Sequence, residues 1–391
     1  MKKIILISAI ATHPQNAGHR TRIFHLLKDL KDLGNEVHFI YLHGKCQPLD
    51  ADIQGMQKYW GSKFHMPIFH ELGNLKRRKG ESVLKTQREC KIDDWYDDDF
   101  DLKLKRLADQ IQPDAVFVEY IMLSKCFEIF PPETLKVLDT HDIFTNRNAH
   151  LSKGNITYEE LTPSFSEEDE KKALRRADVI LAIQPDEALF FKKLSDKIIL
   201  TLGHRIRIEK PIKKEASAKK LLYVGSQSQV NKVSLEHFLK HIFPLIQKEE
   251  PETTLTIAGN ICKLLSTLPA KCSLLSYAED LKPLYDEADV VINPDVAATG
   301  LSIKSITAIG YSKPLVATQV GIRGLMSYGK GFTVAKSNEA FAKEVINLFR
   351  NPKIAEKKSQ EAYEFALRYN QKYHDTLKQI LELSKKRIAP Q

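Results

Sequence analysis

Residues 290–325 read VVINPDVAATGLSIKSITAIGYSKPLVATQVGIRGL. Thr299, Gly300, Leu301 and Ser302 make a small-residue turn, and Lys304 opens a helical pattern carried by Ile303, Ile306, Ile309 and Tyr311. A glycine turn that starts a helix leaves backbone N–H groups unpaired and aimed outward, which suits an anion. Gly300 admits a ligand close to the backbone. Lys304 stands at the end of the helix dipole that disfavours cations, and a phosphate there would account for it. An ordinary βαβ turn with a surface lysine fits the same residues. The loop HPQNAGHRTR at 13–22 is built alike: Gly18 precedes a helix, and His19, Arg20 and Arg22 add cationic donors. A plain turn with solvated arginines is the alternative. In VLDTHDIFTNR (137–147) a strand ends in Asp139, followed by Thr140, His141 and Asp142. His141 has the chemistry to donate to a hydroxyl or carry a proton, with Asp142 fixing its tautomer. A lone histidine is more often structural. Glu187, in IQPDEA, suits either a helix cap or the lining of a ligand crevice.

These residues need elements to hold them. Apolar runs at Lys3–Ala9, Val37–Leu42, Ala115–Val118, Lys136–Asp139, Val179–Ile183 and Ile198–Leu202 read as buried strands. Ile23, Leu26, Leu27, Leu30 and Leu33 mark a helix between the first two, with Gly34 as its stop. A second series follows: Leu221–Val224, Leu255–Ala258, Ser273–Leu275, Val290–Ile292, Leu315–Ala317 and Phe332–Val334. Alternating strand and helix predicts α/β architecture with parallel sheets, here two doubly wound halves. The charged stretch Arg205–Lys219 reads as the linker, and about Ala355–Lys386 as a long terminal helix.

The chain has 391 residues, enough for two or three domains, and a formal charge of +9. Five scattered cysteines without CxxC spacing argue against a disulfide framework or a zinc site. No apolar run reaches the ~18–20 residues of a transmembrane helix. MKKIILISAI reads as a first strand rather than a leader, so a cytoplasmic protein is expected. No nucleic-acid motif appears. Trp60, Phe64, Met66 and Phe69, then LKRRKG at 75–80, suit either an anionic membrane surface or a solvated loop. The acidic run DDWYDDDFD (93–101) precedes a helical pattern without a strand behind it. It reads as a helix N-terminus, and no metal is expected.

The segment TGLSIKSITAIGYSKPLVAT followed by GIRGL resembles the donor-binding segment of GT-B glycosyltransferases, specifically the family-4-like group (glycosyl transferases group 1). DTHD at 139–142 resembles a second motif of that group. The resemblance implies two Rossmann-like domains facing across a cleft: 1–205 on the acceptor side, 206–365 for the donor, and a helix at 366–391 crossing back. It implies a sugar transferred from a nucleotide-diphosphate sugar to a glycan or lipid-linked acceptor, with retention and without metal or cofactor. Bacterial surface polysaccharide synthesis, peripheral to the inner face of the membrane, is the expected setting. Gly18, Gly225, Ser226, Lys232, Tyr277, Ala278, Thr299, Gly300, Leu301 and Ser302 would contact the donor, with Tyr277 and Ala278 at the base. Lys304 would neutralise the leaving diphosphate, Arg323 less so, and His141 with Asp142 would stand by the transferred sugar. Arg20, Arg22 and Arg147 would face the acceptor. One position departs: the group's acidic residue, held to bind the donor ribose, is Thr307. A non-catalytic GT-B binding module is therefore an alternative, and a nucleotide-sugar epimerase another.

Overall fold

The computed structural model describes residues 1–15, 17–42, 50–66, 91–148, 163–214, 217–276, 278, 280–297 and 300–388. The chain divides into two compact units. Unit 1 gathers Met1–His150, Glu159–Gly203 and His374–Gln391; unit 2 gathers Leu151–Tyr158 and His204–Tyr373.

Unit 1 is built on a seven-stranded sheet. Its strands are β1 (Lys3–Ser8), β2 (Glu36–Tyr41), β3 (Phe64–His65), β4 (Ala115–Glu119), β5 (Leu135–Asp139), β6 (Val179–Ala182) and β7 (Ile198–Thr201). They lie in the order β3-β2-β1-β4-β5-β6-β7, all parallel. Helices α1 (Gly18–Asp32), α2 (Asp50–Trp60), α3 (Asp99–Ile111), α4 (Glu167–Arg175) and α5 (Pro185–Leu194) accompany it. The strands are apolar runs without alternation because parallel sheets are covered on both faces; Ile4, Ile5, Leu6 and Ile7 are all fully buried. Gly34 follows α1 at φ 84, a left-handed backbone that ends a helix with little strain in glycine.

Unit 2 repeats the plan with β8 (Lys220–Val224), β9 (Thr254–Ala258), β10 (Cys272–Leu275), β11 (Val290–Asn293), β12 (Leu315–Thr318) and β13 (Thr333–Ala335). The order is β10-β9-β8-β11-β12-β13, again parallel. Its helices are α6 (Gln229–His241), α7 (Phe243–Glu249), α8 (Lys282–Glu287), α9 (Ile303–Gly310) and α10 (Asn338–Arg350). The 37-residue α11 (Pro352–Ile388) begins among unit 2 residues and ends among those of unit 1. In unit 2 it buries Phe365 and Tyr369; in unit 1 it buries Leu377 and Ile380, and Thr376 donates to the Thr201 carbonyl.

In both sheets the order reverses beside the first strand, between β1 and β4 and between β8 and β11. Ligands of open α/β sheets bind at the carboxyl ends of strands flanking such a switch point. The residues singled out by type therefore lie where the topology would use them.

The structure adds to one expectation, changes another and shows one strand the sequence did not predict. The acidic run does open a helix, with Asp99 and Asp101 in the first turn of α3. It is also an ion-pair hub: Asp93 meets Lys172 at 2.6 Å and Arg176 at 2.8 Å, and Asp98 meets Lys125 at 2.6 Å. Trp60 is not available to a membrane. Its indole donates to the Thr12 hydroxyl at 2.9 Å, and it packs on Phe24 and Phe39 at 7% exposure. Phe69 and the basic run at 75–80 lie outside the described residues. The edge strand β3 was not foreseen, since two residues are too few to show a period. No described helix is long and apolar enough to cross a membrane.

Candidate functional site

At the carboxyl edge of the unit 1 sheet, ionisable groups are buried together. Arg22 leaves α1 and is 4% exposed. Its Nε and Nη2 donate to the two oxygens of Asp139 at 2.9 and 2.8 Å. Nη2 also reaches the Leu202 carbonyl at 2.9 Å, and Nη1 the Gly203 carbonyl. Glu119, the last residue of β4, is fully buried, with Oε2 at 2.5 Å from Nε2 of His141. The imidazole stacks on Tyr120 with centroids 4.0 Å apart. Tyr120 and His141 both have left-handed backbones, at φ 68 and φ 63. Such conformations are strained for these residues and persist where the surroundings over-determine them. Burial, reinforced by the neighbouring Asp139 and opposed by Arg22, raises the Glu119 carboxyl well above its usual range. Burial likewise pushes His141 down to about 4, so its ring is neutral near pH 7.

The loop after His141 is braced from beneath. Glu170 accepts from the amides of Phe144 and Thr145 at 3.1 and 2.7 Å. Asp142 accepts from the Ile143 amide and pairs with Arg147, each at 2.9 Å. Glu119, Asp139 and His141 offer three possible metal ligands within 4.8 Å of one another. Both Asp139 oxygens already accept from a guanidinium, however, so a cation stands where a metal would need its carboxylate.

The unit 2 edge is made mainly of backbone. Gly259, at φ 95, lies so close to Gly225 that a Cβ there would come within 2.5 Å of the Gly225 carbonyl oxygen. Gly300 has φ 70 and leads into α9. Asn293, at the end of β11, pins this turn: its Nδ2 donates to the hydroxyls of Ser302 and Ser305 at 2.8 and 2.9 Å and to the Gly321 carbonyl at 3.0 Å. Asn231 pins the facing loop, with Nδ2 at 2.9 Å from the Ser226 carbonyl and 3.1 Å from its hydroxyl. Lys304 joins the two. Its Nζ donates to Asn231 Oδ1 at 2.7 Å and to Asp295 at 2.5 Å, with the Tyr223 ring 5.3 Å away. Burial lowers the Lys304 pKa, and Asp295 opposes the shift.

Residues 218–351, nearly the whole of this unit apart from its ends, match the sequence model of the glycosyl transferases group 1 family. That stretch of unit 2 is similar to the group 1 glycosyltransferases. Solved structures of glycosyltransferases share the fold over the full length. The pneumococcal O-GlcNAc transferase GtfA, solved with UDP and GlcNAc, superposes with a TM-score of 0.68 at 11% identity, covering 98% of this chain and 99% of that one. Sucrose-phosphate synthase from Thermosynechococcus elongatus gives 0.68 at 14% identity with the same coverage. A 44.6 kDa protein in the cps region of Klebsiella pneumoniae is 24% identical over 379 residues, 90% of this chain and 92% of that protein. The solved structures show the fold to be GT-B, and the family match lies within unit 2.

The expected donor residues separate into three sets. Gly225, Ser226, Gly300, Leu301, Ser302 and Lys304 converge on one edge, but Ser302 presents its hydroxyl to Asn293 rather than outward. Lys232 pairs with Glu236, one turn along α6, at 3.8 Å. Thr307 donates its hydroxyl to the Ile303 carbonyl at 2.8 Å, a bond within its own helix. Tyr277 and Thr299 lie outside the described residues; Ala278 is half-buried. In unit 1, Gly18 opens α1 as expected. Arg22 does not face an acceptor, because its donors are taken by Asp139 and two carbonyls. Arg20 braces the loop, donating to the His13 carbonyl at 2.7 Å and pairing with Asp52 at 2.9 Å. Arg147 is the partner of Asp142. The carboxylate that fixes the His141 ring is Glu119 rather than Asp142. Its signal was present as a charged residue ending the apolar run AVFVE. Glu187 is buried beside Gln184 at the start of α5, contacting it at 3.4 Å.

Proposed function

We propose that the chain transfers a sugar from a nucleotide-diphosphate donor to a glycan or lipid-linked acceptor, in the synthesis of a surface polysaccharide. The observation that carries this is the unit 2 edge: two glycine turns, the start of α9 and the Lys304 ammonium gathered within one hydrogen-bonded frame. Unpaired N–H groups beside a cation stabilise a leaving diphosphate without demanding a metal. Retention follows the group resemblance. Support for a uridine diphosphate donor comes from GtfA, and from HepE of Anabaena, which was solved with UDP. Support for a polysaccharide product comes from the cps-region relative.

The experiment is a thermal-shift screen of the full chain against a panel of nucleotide sugars, followed by calorimetry on any hit. A ligand that binds only the folded state stabilises it by mass action, so a true donor raises the melting temperature with concentration. No shift with any nucleotide sugar would remove the reading. The binding-module alternative keeps one specific support, the absence of a carboxylate at Thr307. It predicts donor binding without transfer or hydrolysis.

A further inference from the structure

His141 is held by two neighbours, and the question is which face of its chemistry they leave exposed. Nε2 is 2.5 Å from Glu119 Oε2. Nδ1 has no partner among the described residues and is not among the buried unpartnered atoms. Glu119 Oε1, in contrast, is buried and has no partner when the group is drawn as a carboxylate. Asp139 lies in the same cluster and already receives two Arg22 donors. Two bare carboxylates against one guanidinium would leave one buried negative charge in excess and one buried oxygen unsatisfied. Each is a costly state in a dry site.

We propose that Glu119 acts as a neutral carboxylic acid that donates from Oε1 to Asp139, accepts the His141 Nε2–H on Oε2, and so presents His141 Nδ1 as a bare acceptor. Every buried polar atom of the cluster is then paired. Arg22 balances Asp139, and the chain Asp139, Glu119, His141 carries no net charge beyond that pair. The reverse arrangement, with the Glu119 proton directed at Nε2, would leave the buried Oε1 without a partner. The groups facing the pair are Asp139, Arg22, Tyr120 and Asp142, with His19 and Arg147 further out. The upward shift of Glu119 and the downward shift of His141 agree with a protonated acid beside a neutral ring. Glu119 is thus a positioning residue. It makes His141 an acceptor for a hydroxyl hydrogen on the substrate, which rests on the transferase reading above, while the tautomer itself does not.

The test is ¹⁵N NMR of the full chain labelled at histidine, with the His141 signals assigned by His141→Gln. The expected result is a single tautomer near pH 7, protonated at Nε2 and bare at Nδ1. Glu119→Gln should keep it, because an amide donates to Asp139 and accepts from Nε2–H in the same places. Glu119→Ala should lose the single tautomer and give a mixture. A proton on Nδ1 in the wild type would overturn the proposal. So would a Glu119→Gln protein that gives the mixture, since that would mean the carboxylate charge is needed. If Glu119→Ala does not fold, the wild-type and Gln spectra decide alone. No substrate enters the measurement, so failure here is distinct from failure of the donor screen.

Discussion

At the carboxyl edge of the first sheet, Arg22, Asp139, Glu119 and His141 are buried side chains locked to one another. At the same edge of the second sheet, Gly225 and Gly259 bring two stretches of main chain against each other, Gly300 turns the chain into α9, and the Lys304 side chain is 19% exposed. The two units share a strand order, yet one edge is a dry ionic cluster and the other a backbone cradle. Topology chooses where a ligand meets the protein, and residue type chooses what it meets there. A buried cluster fixes the orientation of one ring at a cost in desolvation. A backbone cradle offers several donors at once and depends little on any one side chain.

The sharpest way to break this contrast is Arg22→Ala. Removing one partner of a buried pair leaves an uncompensated charge, and the expected loss is about 3–5 kcal/mol of stability, read from urea unfolding. Arg22→Lys should recover only part, since an ammonium cannot match the two-oxygen geometry. A loss below about 1 kcal/mol would mean that water reaches this cluster. Next comes Lys304→Ala. It should weaken nucleotide-sugar binding by about 1.5–3 kcal/mol in calorimetry, the range of a hydrogen bond to a charged group. Unchanged affinity would assign Lys304 to Asp295 alone and leave the cradle to backbone. Thr307→Glu probes the same edge in the opposite direction. It should tighten donor binding by about 1.5 kcal/mol, at the low end of that range, because the new side chain must also leave the helix surface. Weaker binding would show that the pocket has been reshaped around a hydroxyl. The last effect is a slope. His141 has a folded pKa of about 4 against 6.5 unfolded, so the unfolded chain binds more protons between those values. Its stabilising contribution is present above about pH 6.5 and is lost as pH falls toward 4. His141→Gln should flatten stability against pH in that window, and an unchanged slope would place the titration elsewhere.

The contrast also explains how much could be read from sequence. The long strands are legible because parallel sheets demand uninterrupted apolar runs, and the second-sheet motif is legible because glycines and a lysine have few reasons to recur in that pattern. The first-sheet cluster was only half legible. His141 stands out by type, but its partner Glu119 is twenty-two positions earlier, on a neighbouring strand. Only the sheet register, with Glu119 opposite Asp139, brings them together. Arg22 misled for the same reason: an arginine in a glycine loop reads as exposed until the carboxylate beneath it is known. Lys232 was singled out by the resemblance alone, and on α6 it meets Glu236 one turn on.

The contact between Gly225 and Gly259 bears on inheritance as well as on shape. Where two peptide groups touch without side chains between them, what must be preserved is the absence of atoms at a few positions. Most surrounding residues are then free to drift, provided the strands beneath keep their spacing. A recess made of main chain can outlast most of the side chains around it.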